Sequence, residues 1–130
     1  MLSELKNGEL LARFVEKINA AKTKDAFRYI IGVAACDGRF ACYPQQKGVV
    51  PDFRFLDSSG KQPFSLIPNR NWLLFYFRPP AVRSNRYTFD ELLSAFDSAA
   101  INPAGEWTVK IRSIEDVQRL WKIIGVDSAD

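Results

Sequence analysis

The sequence predicts an α+β fold: an antiparallel sheet of about four strands, a meander plus one C-terminal strand, packed against helices in a single two-layer domain. Three observations carry this. The run from Asn71 to Arg78 places six large apolar or aromatic residues between polar ends and stops at Pro79-Pro80, which reads as a central strand covered on both faces. Glu106 to Arg112 alternate, with Trp107, Val109 and Ile111 on one side and Glu106, Thr108, Lys110 and Arg112 on the other, as in a strand with one wet face. Residues 1–35 are mainly helical in spacing, and residues 52–124 read β-β-β-α-β-α, so no βαβ alternation runs through the chain. At 130 residues and 47% hydrophobic, the chain suffices for one core and is short for two.

Taken in order, Leu10, Leu11, Phe14, Val15 and Ile18 follow helical spacing from Gly8 to Ala21, with Asn7 or Ser3 as cap and Leu2 and Leu5 as a further turn. Thr23 to Ala35 admits two readings. Thr23 can cap a helix burying Phe27, Ile30, Ile31 and Ala34 and stopped by Gly38. The same residues can instead form a strand in which Phe27, Tyr29, Ile31 and Val33 alternate before an Asp37-Gly38 hairpin turn. The helix is the favoured reading. Pro44 to Pro51, through Gln45, Gln46, Lys47 and Gly48, reads as an exposed loop.

Asp52 to Asp57 alternates as a strand, Ser58 to Lys61 turns, Gln62 to Pro68 returns, and Asn69-Arg70 leads into the central strand. Pro79 to Tyr87 reads as an exposed loop. Thr88 and Glu91 have the spacing of a capping box, with Tyr87 and Leu92 as its staple, opening a helix to about Ser98 that buries Phe89, Leu92, Leu93 and Phe96. Ser113 and Asp116 repeat that logic for a last helix striped by Ile114, Val117, Trp121 and Ile124, widened by Leu120 and stopped by Gly125, beyond which Asp127 to Asp130 should fray.

Charge distribution narrows the function classes. The formal charge is +3, yet Arg54 to Arg86 alone holds six bases against Asp57, a local excess of +5, while the remainder is nearly neutral. With no histidine, Ser-His and Cys-His nucleophiles are excluded and the commonest metal ligand is missing. Cys36 and Cys42 are expected to be reduced and partly buried. No metal or cofactor is expected. Pro51-Asp52 matches half of a metal-dependent nuclease motif, but Glu106 and Lys110 stand four apart rather than two, about 13 Å along the strand. The carboxylate pairs Asp90-Glu91 and Glu115-Asp116 fit first turns of helices. The N-terminal residues lack the apolar segment of a signal peptide, and no window approaches a membrane span, so a cytoplasmic location without membrane contact is expected.

The candidate binding residues are Arg70, Arg78, Arg83, Arg86, Lys110 and Arg112 for phosphates, with Trp72 and Tyr87 for stacking. Phe53, Phe55, Phe75, Tyr76, Phe77 and Trp107 could extend a stacking platform, although core packing accounts for most of them. The helices around an antiparallel sheet with so aromatic a strand, over residues 50–124, resemble small bacterial domains of the YjbR type. That resemblance implies DNA binding through loops flanking the sheet; it is one of element order, and no residue is carried over from it. Two functional expectations stand foremost. One is a non-enzymatic module binding DNA or RNA through the basic loop and adjacent sheet edge. The other is an interaction domain that meets a protein partner, or a second copy of itself, through its sheet face or edge. A carboxylate-dependent enzyme ranks third.

Because neither cysteine has a histidine partner, zinc or a chelator is expected to leave the melting temperature unchanged. A chelator-induced fall in a thermal melt would reveal a site shared between chains.

Overall fold

The computed structural model describes residues 2–47 and 50–125. The elements are α1 (Leu2–Lys17), α2 (Ala21–Cys36), β1 (Phe40–Lys47), β2 (Val50–Asp57), β3 (Phe64–Pro68), β4 (Leu73–Phe77), α3 (Pro79–Val82), α4 (Phe89–Ala95), β5 (Ala100–Ile101), β6 (Trp107–Ile111) and α5 (Ile114–Ile124). The fold is α+β, and the sheet is antiparallel with strand order β1-β2-β3-β4-β6-β5. Among the described residues it has six strands, not four. β1 replaces most of the expected Pro44–Pro51 loop: its eight residues pair with β2 from Phe40 opposite Asp57 to Lys47 opposite Val50. Pro44 is tolerated because β1 is an edge strand with a partner on one side only. β5 is the opposite edge, two exposed residues long. Gly48 and the expected fraying of Asp127–Asp130 lie outside the described residues.

The core occupies one face of the sheet. Phe53 and Phe55 of β2, Phe64 and Leu66 of β3, Leu73, Phe75 and Phe77 of β4, and Trp107, Val109 and Ile111 of β6 are buried. Against them lie Phe14 of α1, Ile18 just after it, Ala26, Phe27, Ile30 and Ala34 of α2, and Val117, Leu120 and Ile124 of α5. The other face has no helix packed on it among the described residues. β4 is therefore not covered on both sides as its composition suggested. Its burial alternates, and Leu74 and Tyr76 stand half-exposed on the open face.

Several local expectations change for identifiable reasons. Residues 21–36 are helical, and Tyr29, which a strand would have buried, is 36% exposed. α1 starts at Leu2, so Ser3 and Asn7 lie inside it rather than capping it. Thr23 is not a cap either. The cap position of α2 is Ala20, and Thr23, 1% exposed, donates its hydroxyl to the carbonyls of Asn71 and Arg112, each at 3.1 Å. That hydroxyl ties α2 to the start of β4 and the end of β6. The expected Pro79–Tyr87 loop opens with the single turn α3, where Pro at the first positions suits a helix start, and it buries Ala81 and Tyr87. α4 ends at Ala95 rather than Ser98 and leaves Leu93 44% exposed. Ser98 instead accepts from the Lys110 amide at 3.0 Å.

Both anticipated caps form: Thr88 accepts from the Glu91 amide at 3.1 Å, and Ser113 accepts from the Asp116 amide at 3.3 Å. Both cysteines are free. Cys36 is exposed rather than partly buried, whereas burial, with the nearby Asp37 charge, pushes the Cys42 thiol up to about 12.

The one-sided core makes a contrast between neighbours in β4. Phe75→Asp puts an unpaired charge where exposure is 0% and should abolish the cooperative melt, the desolvation being several kcal/mol against a stability of about 5 to 15. Leu74→Asp places its carboxylate on the open face opposite Lys110 and should fold, losing about 1 kcal/mol. Equal effects in thermal unfolding would contradict the open face.

Candidate functional site

A chain of polar side chains crosses the open face. Arg54 of β2 donates through Nε to Asp52 at 2.7 Å and through Nη1 to Gln62 Oε1 at 2.5 Å. Arg78, just past β4, donates through Nε to Glu106 at 3.2 Å and through Nη1 to the same Gln62 oxygen, also at 3.2 Å. Gln62 Nε2 reaches the Tyr43 hydroxyl of β1 at 3.1 Å, and Glu106 accepts from Asn102 at 3.0 Å. Alternation along antiparallel strands brings these residues to one face although they lie far apart in sequence. Tyr76 sits among them. Burial raises its pKa, and the charges of Glu106 and Asp52 act in the same direction. Asp52 Oδ1 is buried without a hydrogen-bond partner among the described residues.

Trp72 marks the far end of β4. Lys110 Nζ lies 4.5 Å from the centroid of its ring and the Arg112 guanidinium carbon 5.8 Å, a cation–π cluster on the surface. Arg70 is exposed at the same end. Its carbonyl accepts from the amides of Asn19 and Ala20 at 2.7 and 3.2 Å, docking the junction of α1 and α2 onto the β3–β4 turn.

At the opposite end of the sheet a groove of about 810 Å³ opens between the β2–β3 turn, the start of β1 and the segment from Pro79 to Tyr87. Arg39, Lys61, Arg83 and Arg86 line it against one acid, Asp57. Arg39 is engaged by Asp37 at 2.7 Å. Asp57 is turned to its own loop, where Oδ1 accepts from the Ser59 amide and hydroxyl and the Lys61 amide. Gly60, at φ +84°, makes that loop tight, a conformation that glycine adopts without strain. Lys61, Arg83 and Arg86 remain exposed on the rim with no carboxylate within ion-pair distance among the described residues.

The eight candidate residues thus fall into separate groups. Arg83, Arg86 and Tyr87 belong to the groove, Arg78 to the polar chain, and Trp72, Lys110, Arg112 and Arg70 to the other end. The six residue steps from Trp72 to Arg78 span about 20 Å of extended chain. Tyr87 is 9% exposed, with its ring 5.9 and 5.6 Å from those of Phe64 and Phe77, so it anchors the loop to the core. Phe53, Phe55, Phe75, Phe77 and Trp107 are likewise core, so of the aromatics proposed for stacking Trp72 and Tyr76 face the open side.

Sequence reasoning missed Arg39, Lys61 and Gln62 as site residues. Lys61 and Gln62 were visible inside the basic stretch, next to a glycine turn that presents them; nothing local marked Arg39. Compared with protein-family models, curated proteins and solved structures, the chain has no significant match in any of the three.

The turns that present Arg39 and Lys61 depend on ionised aspartates. Hydrogen bonding from Arg39 outweighs burial and holds the Asp37 carboxyl below the usual aspartate range. For Asp57, burial raises the pKa, but hydrogen bonds from Ser59 and Lys61 more than offset it and leave it lowered. A carboxylate depressed on folding stabilises above its unfolded value, near 3.8 for both, and that contribution is lost as pH falls through the folded value. Melting temperature measured from pH 7 downward should therefore drop below about pH 4, and Asp37→Asn should melt lower at pH 7 with a smaller drop on acidification. An Asp37→Asn deficit that stays constant across the range would refute the assignment.

Proposed function

We propose that this protein is a small non-enzymatic binding module that takes the phosphate backbone of DNA or RNA in the basic groove and along the adjacent sheet end. The observation that carries this is the uncompensated charge of Lys61, Arg83 and Arg86 around a concave surface whose acid, Asp57, is spent on its own turn. Phosphate contacts from lysine and arginine side chains dominate nucleic-acid affinity, and surface cations supply them. Pro79 and Pro80 and the buried Tyr87 hold the arginine segment at both ends, so its cations are presented from a fixed base.

A second reading has its own observation. Ile67, Leu74 and Tyr76 are half-exposed together on the uncovered sheet face, and Ile101 on the β5 edge is 57% exposed, which suits assembly with a protein partner or a second copy. Among the described residues no helix is long and apolar enough to cross a membrane. A cytoplasmic location goes with either reading and is consistent with two unpaired thiols.

The test is Arg83→Ala with Arg86→Ala. Both side chains are exposed, so the variant should melt within about 0.5 kcal/mol of the parent. Its affinity for an oligonucleotide should fall, and the slope of log affinity against log salt should become shallower by about 1.5 to 2 as two phosphate contacts are lost. An unchanged slope, or a parent that binds no oligonucleotide at moderate salt, refutes the nucleic-acid reading; a concentration-dependent dimer in light scattering would then favour the second.

A further inference from the structure

We propose that Arg54, Gln62 and Arg78 form an oxyanion site on the open sheet face, in which the Gln62 side-chain carbonyl occupies the place of one oxygen of a phosphate group. The site goes beyond the groove and does not depend on it, since Arg83 and Arg86 take no part.

The arrangement of charge is the argument. Each arginine gives its Nε to a carboxylate on the outer side, Asp52 for Arg54 and Glu106 for Arg78. Each turns Nη1 inward, and both Nη1 groups meet on one uncharged oxygen, Gln62 Oε1, at 2.5 and 3.2 Å. Two guanidiniums are thereby brought together over a neutral acceptor, although the planar guanidinium fork is matched in charge and geometry to carboxylate and phosphate oxygens. The Nη2 group of each arginine has no hydrogen-bond partner among the described residues, so the pair has donors to spare for the further oxygens of a tetrahedral anion. Planar guanidiniums fixed by carboxylates at Nε are preorganised for such recognition. They are also reachable: the Arg78 side chain is 31% exposed and that of Arg54 is 19% exposed.

Gln62 is placed to give way. It lies in the connection between β2 and β3, outside either strand, and among the described residues its side chain bonds, apart from the two arginines, to the Tyr43 hydroxyl alone. The backbone beside it is fixed independently, because the Arg78 amide donates to the Pro63 carbonyl at 2.8 Å. A ligand oxygen can therefore displace the amide without opening the strand pairing.

The test titrates inorganic phosphate into the full chain by calorimetry at constant ionic strength, with chloride as the balancing anion. The parent should bind one phosphate per chain. Gln62→Glu keeps both arginines and sets a permanent carboxylate between them, so it should melt higher and bind phosphate at least about tenfold more weakly. Arg83→Ala with Arg86→Ala should change phosphate affinity by less than about twofold. Should Gln62→Glu fail to fold, Gln62→Ala, which removes the competing carbonyl, should bind at least as tightly as the parent. A parent that takes up no phosphate, Gln62→Glu binding as tightly as the parent, Gln62→Ala binding more weakly, or loss of binding in the groove variant would each overturn the site. Competition then names the source: a short oligonucleotide that displaces the phosphate identifies a backbone phosphate as occupant, and one that binds without displacing it identifies a free phosphate compound, the site standing in both cases.

Discussion

Edge-to-face contact among phenylalanines on one side of the sheet is the interaction on which the remaining structure rests. Phe55 lies within 5.5 to 6.2 Å, ring centroid to centroid, of Phe40, Phe53, Phe64, Phe75 and Trp121, and Phe64 lies within 5.2 to 6.2 Å of Phe40, Phe55, Phe75, Phe77 and Tyr87. Those two rings connect β1, β2, β3 and β4 to α5 and to the segment that carries the groove arginines. Such pairs contribute about 0.5 to 1.5 kcal/mol each beyond the area they bury, and their angular preference fixes register as well as stability. A residue slipped by one position along β3 would turn Phe64 to solvent.

The same one-sidedness dictates what the other face must be. With the period of two committed to the core, every alternate residue of β2, β4 and β6 faces outward, where no helix among the described residues supplies burial. The outward residues satisfy one another laterally instead, through Asp52 with Arg54, Arg78 with Glu106, and Lys110 with Trp72. Arginine on this face is thus partly structural, whereas the cations beyond the strand ends, Lys61, Arg83 and Arg86, have no carboxylate within ion-pair distance among the described residues. Charge on the face is held in ion pairs that also shape the sheet, whereas the rim cations stand outside those pairs.

What could be read from the residues was what is written locally. The alternation of Trp107, Val109 and Ile111 and the caps at Thr88 and Ser113 depend on neighbours within a few positions, and all appear as expected. β1 was hidden because Pro44 and a run of polar residues resemble a loop, and only the edge position makes them compatible with a strand. β4 looked covered on both faces because Leu74 and Tyr76 are apolar or aromatic, yet they stand on the open side. For the candidate site, the basic stretch from Arg54 to Arg86 was visible as composition, but its sorting was not. That Arg78 is neutralised by Glu106, 28 residues away, and that Arg39 joins Lys61 and Arg83 around one groove, follow from strand pairing that no local pattern encodes.

The Thr23 hydroxyl bears on the order in which the chain assembles. It has one proton to share between carbonyls 48 and 89 residues away, and both carbonyls are presented at the ends of strands that must already be paired, β4 with β6, for the two to converge. Closing loops of that length is entropically costly before the contacts that reward it exist. α2 can therefore coil early but can seat only after β6 has been zipped onto β4. The helical pair at the N-terminus can thus complete this contact only on a sheet whose β4–β6 pairing has already formed.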